Sequence, residues 1–220
     1  MIRVGVVLSG CGVMDGSEIH EAVCTMLALD QAGAEIICMA PNQPQTDVID
    51  HRTNVAAGES RNALVEAARI ARGHIRDIAA VRADDLDAVI LPGGFGATKN
   101  LCTFAADGDR CKVNAAVECL LRDMHRQGKP IGALCIAPVL LARLFGPDYK
   151  VELTIGRNPD VAEKLERMGA RHKSAAAHEI IVDKKNKIVT CPCYMLAERI
   201  SEVYQGACRT VEEVLRLTRE

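Results

Sequence analysis

The stretch Gly132-Ala133-Leu134-Cys135-Ile136-Ala137-Pro138 decides the fold. Residues 130–134 are a short apolar run that reads as a buried strand, and an apolar helical pattern over 139–145 begins almost at once. A strand that passes into a helix without a loop makes a sharp elbow. The elbow residue, Cys135, then projects from the carboxyl edge of a sheet and lies at a helix N-terminus. Free backbone N–H groups and the helix dipole favour negative charge there. A thiol in that place is expected to have a lowered pKa and to act as a nucleophile. The competing reading is structural, because free cysteine is among the most buried residue types.

Residues 3–8 read as a buried strand that runs into the glycine turn Ser9-Gly10-Cys11-Gly12. A helix is expected over 17–32, with Ser17 as candidate N-cap, and Gly33 ends it. Residues 34–40 form the next strand, and a strand-helix-strand unit of this length implies a parallel sheet with a right-handed crossover. A small peripheral strand is expected over 47–51, a helix over 60–72 and a short strand over 75–78. Residues 86–91 are a strongly apolar strand ending in Pro92-Gly93-Gly94-Phe95-Gly96. Helices follow over 114–127 and 161–168, with late strands over 153–155, 180–182 and 187–190. The C-terminal stretch 196–217 is helical in pattern, with a break expected near Gly206. No linker or repeat divides the chain, so residues 1–220 read as one α/β domain, a sandwich with helices on both faces of a mostly parallel sheet.

The 220 residues suffice to bury about 70% of the unfolded surface. Lys and Arg (27) nearly balance Asp and Glu (29). This balance gives no electrostatic argument for nucleic acid or an anionic membrane as partner. The N-terminal apolar run is too short to span a bilayer, and no signal-peptide pattern follows it, so a cytoplasmic location is expected. Ten scattered cysteines read as reduced thiols rather than a disulfide framework. The one close pair, Cys191-Pro192-Cys193, lacks structural zinc spacing and a second pair to complete four ligands. Neither a metal nor a cofactor is expected.

In open α/β sheets, ligands bind beyond the carboxyl ends of the strands. Residues 9–16, residues 93–96 and the Cys135 elbow all fall there. The Gly93–Gly96 turn offers unobstructed N–H groups, and with the Ile136 N–H it would form a two-donor oxyanion hole; the alternative is a tight turn that needs positive φ. Glu21, in the first turns of the first helix, could share a proton with the thiol or simply be an exposed acid favoured by the dipole. Glu18 competes for that role. Among the histidines, His20 reads as a surface or packing residue, His125 as a solvated or capping one, and His178 as the only downstream Cys-His candidate.

Val89-Ile90-Leu91-Pro92-Gly93-Gly94-Phe95-Gly96, Lys99-Asn100-Leu101 and Leu134-Cys135-Ile136-Ala137-Pro138 together resemble the PfpI/ThiJ-like superfamily, whose fold is that of class I glutamine amidotransferases. Ser9-Gly10-Cys11-Gly12, Asp15-Gly16-Ser17-Glu18-Ile19-His20-Glu21-Ala22, Leu153-Thr154-Ile155-Gly156 and Tyr194-Met195-Leu196-Ala197 narrow the resemblance. They point to the branch called enhancing lycopene biosynthesis, or isoprenoid-biosynthesis glyoxalase-like, proteins. The resemblance spans essentially the whole chain.

It implies a flavodoxin-like three-layer sandwich with the nucleophile at Cys135. Glu21 matches the superfamily's glutamate on that thiol, and Gly94 matches a backbone donor. Phe95, Ile136, Asn100 and Gly12 are the further oxyanion or substrate-binding candidates. The implied activity is that of a glutathione-independent glyoxalase, a lyase acting on small aldehydes such as methylglyoxal, in a homodimer. A redox or electrophile sensor, or an accessory protein of isoprenoid biosynthesis, is the alternative. One departure is informative: amidotransferases and PfpI-type hydrolases carry a histidine directly after the cysteine, where this chain has Ile136. A Cys-His hydrolase is therefore not expected.

Overall fold

The computed structural model describes residues 1–220. In chain order it runs β1 (Arg3–Val7), α1 (Ile19–Gln31), β2 (Glu35–Ala40), β3 (Ile49–Asp50), β4 (Val55–Ala56), α2 (Ala63–Ile70), β5 (Ile75–Asp77) and β6 (Ala88–Leu91). Next come α3 (Phe95–Lys99), α4 (Phe104–Asp107), α5 (Ala115–Arg126), β7 (Ile131–Leu134) and α6 (Pro138–Tyr149). The chain closes with β8 (Glu152–Leu153), α7 (Pro159–Arg167), β9 (Arg171–His172), β10 (Ile181–Asp183), β11 (Ile188–Cys191) and α8 (Ile200–Leu217).

Seven strands form the central sheet in the order β10-β11-β7-β6-β1-β2-β5, and only β10 runs antiparallel to its neighbour. The alternation of side chains along each strand builds two cores. Val89 and Leu91 of β6 join the larger core with residues of α5 and α6 such as Leu121 and Phe145. Ala88 and Ile90 of the same strand join the other core with Leu29 of α1, Ala67 of α2 and Val214 of α8. Central strands buried on both faces must be apolar throughout, which is why residues 88–91 and 131–134 carry no charge. The layered α/β expectation holds.

Several local expectations are corrected. Ser17 does not cap α1; Glu18 does, its Oε2 accepting the Glu21 N–H at 2.7 Å. The Ser17 Oγ instead accepts the Ser9 N–H at 2.8 Å and ties the first loop to β1. The strand expected over 153–155 is β8, which pairs with β9 outside the main sheet. α8 runs unbroken through Gly206, where a Cβ would lie 2.8 Å from Cys191 Sγ and 3.0 Å from Cys193 Sγ. That glycine gives close approach rather than a break. His125 is no solvated cap: its ring stacks 4.5 Å from Phe145.

Candidate active site

β7 ends at Leu134 and α6 begins at Pro138, where a missing N–H costs nothing. Between them Cys135 adopts φ +58°, the left-handed region that a non-glycine residue rarely takes. Its N–H donates to Cys191 O at 2.9 Å, which extends the β7–β11 pairing one residue past the strand and pins the elbow. Strain of about 1–3 kcal/mol is typical of such a position.

Glu21 reaches the elbow from α1. It is completely buried, its Oε2 accepts the Gly93 N–H at 2.8 Å and its Oε1 accepts the Tyr194 N–H at 3.1 Å. The carboxyl also stands beside the Cys135 thiol and influences its ionisation. Gly93 is what admits this geometry: a Cβ there would lie 2.5 Å from Cys135 Cβ and 2.7 Å from Glu21 Oε2.

The expected lowered thiol pKa is overturned. Burial pushes Cys135 well above the ordinary thiol range, and the neighbouring Glu21 charge pushes the same way. The Gly94 and Ile136 N–H groups act in the opposite direction without prevailing. Burial likewise raises Glu21 to about 8, against its bonds to Tyr194 and Gly93. The dipole argument fails because desolvation of a completely enclosed group exceeds what a helix terminus supplies. The resting pair is a neutral thiol beside a mostly protonated carboxyl.

Gly94 and Ile136 border the same cavity as Cys135. Phe95 lines the adjoining cavity with its ring, while its N–H is taken by Val13 O at 2.8 Å. Asn100 and Gly12 do not reach the cavity. Asn100 Nδ2 donates to Ser9 O and Asp15 O, each at 2.8 Å, and its Oδ1 accepts from the Thr46 N–H. Gly12 closes the first loop, its N–H on Ser17 O, with no room for a Cβ against His51. Glu18 borders the cavity but its carboxylate serves as cap. No histidine bonds Cys135 or Glu21; His20 Nδ1 pairs with Tyr194 Oη at 2.8 Å, and His178 lies off the cavity.

The cavity, of about 550 Å³, opens over the carboxyl ends of β1, β6, β7 and β11. Its walls are mainly apolar, with Val13, Phe95, Phe104, Ile136, Val161 and Met195 prominent and Cys135 among them. No cluster of three or more His, Cys, Asp or Glu side chains is arranged to hold a metal ion.

The model of the DJ-1/PfpI family matches residues 11–192, which run from the first glycine loop past β11. The chain belongs to the DJ-1/PfpI family. As a family member it is 47% identical over 226 residues to the human "Glutamine amidotransferase-like class 1 domain-containing protein 3, mitochondrial", covering 98% of this chain and 83% of that protein. It is 37% identical to the zebrafish "ES1 protein, mitochondrial", covering 98% and 86%. Among solved structures, an isoprenoid biosynthesis protein with an amidotransferase-like domain from Ehrlichia chaffeensis superposes with a TM-score of 0.90 at 37% identity, covering 98% and 99%. A glyoxalase III from Candida albicans shares the fold, with a TM-score of 0.61 at 14% identity and coverage of 98% and 97%.

Two features of this DJ-1/PfpI site have no local signature in the sequence. The Tyr194 N–H meets Glu21 across 173 positions. Lys164 borders the cavity from α7, and only the spacing along that helix hints at which of its side chains face inward.

Proposed function

We propose that this protein is a cysteine-dependent, glutathione-independent glyoxalase that converts small 2-oxoaldehydes to 2-hydroxy acids. The observation that carries the reading is the Glu21 carboxyl, held by the Gly93 and Tyr194 N–H groups and packed beside a thiol that borders a cavity. Ionised Glu21 takes the thiol proton as Cys135 Sγ bonds to the aldehyde carbon, and returns it to the carbonyl oxygen to give a hemithioacetal. Glu21 then removes the proton from that carbon and delivers it to the neighbouring ketone carbon through an enediol, while the hemithioacetal's hydroxyl proton passes to the former ketone oxygen, giving a 2-hydroxy thioester. Water attacks the thioester, the C–S bond breaks, the sulfur regains its proton and the 2-hydroxy acid leaves. One carbon is oxidised and its neighbour reduced, so no external oxidant enters. The Gly94 and Ile136 N–H groups support the oxygen charge. Mass spectrometry of Cys135 under quenched turnover tests this, with a methylglyoxal adduct expected and an unmodified thiol contradicting it.

An electrophile or redox sensor would use the same thiol as its thiolate, so the enzyme reading rests on the buried Glu21 carboxyl and the cavity beside it. No side chain speaks for the isoprenoid-accessory reading.

The homodimer is proposed to form through α1, where Ile19, Val23 and Leu27 recur at helical spacing and stay exposed; Ile200 on α8, which packs on α1, is exposed too. No helix is long and apolar enough to cross a membrane. The ten free thiols suit a reducing compartment. Both the cytoplasmic site expected from sequence and the mitochondrial one in the relatives' names fit that description.

A further inference from the structure

The Cys135 cavity is larger and more one-sidedly charged than a three-carbon aldehyde requires. Its volume of about 550 Å³ falls in the range of roughly 300–1,000 Å³ that encloses drug-sized ligands. Three charged side chains border it, and two are already matched. Glu18 caps α1. Lys99 Nζ donates to Met14 O at 2.9 Å and to Asp47 Oδ2 at 2.8 Å.

Lys164 is different. Its Nζ lies 5.8 Å from the centroid of the Phe104 ring and has no carboxylate within ion-pair distance. Asp109 and Glu163 both pair with Arg167, Asp107 accepts the Thr103 hydroxyl, and Asp160, one turn back on α7, makes no ion pair with Lys164. Beside Lys164, Asn158 borders the same cavity; its Oδ1 accepts the Val161 N–H, which leaves its amide N–H₂ as a donor. An ammonium and an amide donor thus meet an apolar wall in the cavity that contains the thiol.

We propose that the ligand of this cavity is an amphipathic carbonyl compound ending in a carboxylate. The carbonyl carbon meets Cys135, the apolar body lies against Phe95, Phe104, Val161 and Met195, and the carboxylate bonds Lys164 and the Asn158 amide. The chemistry at the carbonyl rests on the glyoxalase reading; the recognition by Lys164 does not. A charge-assisted hydrogen bond at a half-buried lysine is worth about tenfold in affinity.

Two measurements separate the inferences. Calorimetric titration of the Cys135→Ala protein with 4-phenylbutyrate and with 4-phenyl-1-butanol reads recognition without turnover. The acid is expected to bind about tenfold more tightly, the preference to vanish in Lys164→Gln and to persist in Lys164→Arg. Equal binding of acid and alcohol, no binding of either, or a preference that survives Lys164→Gln would overturn the proposal. The second measurement compares kcat/KM of the parent for 4-carboxyphenylglyoxal and phenylglyoxal. A preference of about tenfold for the carboxylated substrate, carried in KM and lost in Lys164→Gln, is expected. Turnover of both without preference overturns this inference and leaves the glyoxalase reading standing. Turnover of neither, with the acid preference intact in the titration, overturns the glyoxalase reading and supports the ligand class.

Discussion

Gly93 and Cys135 are packed so closely that a Cβ on the glycine would stand 2.5 Å from the Cβ of the cysteine and 3.0 Å from its sulfur. The same Cβ would press on Glu21 Oε2, which the Gly93 N–H holds at 2.8 Å. Gly93→Ala must therefore displace the thiol, the carboxyl or both. Overpacking of this kind costs about 1–3 kcal/mol. Urea denaturation should give a lower midpoint, and conversion of methylglyoxal should fall at least about a hundredfold, since misplacing reacting groups by an ångström has that effect.

The buried carboxyl sets a pH dependence. Glu21 is raised from 4.5 to about 8 by burial, so its ionised fraction, the form that accepts the thiol proton, grows through that range. kcat/KM should rise with pH and level off above about 8. Stability should move the other way. The folded protein keeps this proton between pH 4.5 and 8 while the unfolded chain has lost it, so this group's contribution is full below about 4.5 and falls by at most about 1.4 kcal/mol per unit as pH rises to about 8. Denaturation of the parent and Glu21→Gln across pH 5–8 checks this; the parent should show the steeper decline.

Ordinarily, alanine replaces glycine inside a helix with a gain of about 0.5–1 kcal/mol. At Gly206 the sign should reverse, because the added carbon meets Cys191 Sγ at 2.8 Å and Cys193 Sγ at 3.0 Å. Gly206→Ala should lower Tm. It should also reduce activity, because Tyr194, which follows Cys193, supplies an N–H to Glu21.

Thiol reactivity should not follow the elbow rule. Cys119 is exposed, whereas Cys135 is buried and its thiol is held protonated. Iodoacetamide at neutral pH should label Cys119 well before Cys135, read by peptide mass spectrometry, and labelling of Cys135 should speed up as pH is raised.

The elbow, the glycine turn and the layered α/β plan were legible in the sequence because each is written locally. A four-residue apolar strand, a cysteine and a helical pattern need no distant partner to be read. Positions one residue apart were less legible: both Ser17 and Glu18 are chemically suited to cap α1, and the choice was made by Ser9, which takes the Ser17 hydroxyl. The ionisation of the site was not legible. Desolvation of Cys135 and Glu21 arises where the segments around residues 21, 93, 135 and 194 close on one another. Asn100 was a binding candidate through the family resemblance, yet its amide holds three backbone segments together. Lys164 was hidden for a related reason, since its helix is recognisable but whether its ammonium finds a carboxylate depends on how α7 meets the segment around Asp109.

If Cys135, served by Glu21, does carbonyl chemistry, 2-hydroxy acid formation from methylglyoxal without glutathione separates the parent from Cys135→Ala and Glu21→Gln. The parent should give lactate, Cys135→Ala none above background, and Glu21→Gln at least about a hundredfold less, with both variants still folded by circular dichroism. Lactate formation by Cys135→Ala at the parent's rate would contradict that role for Cys135.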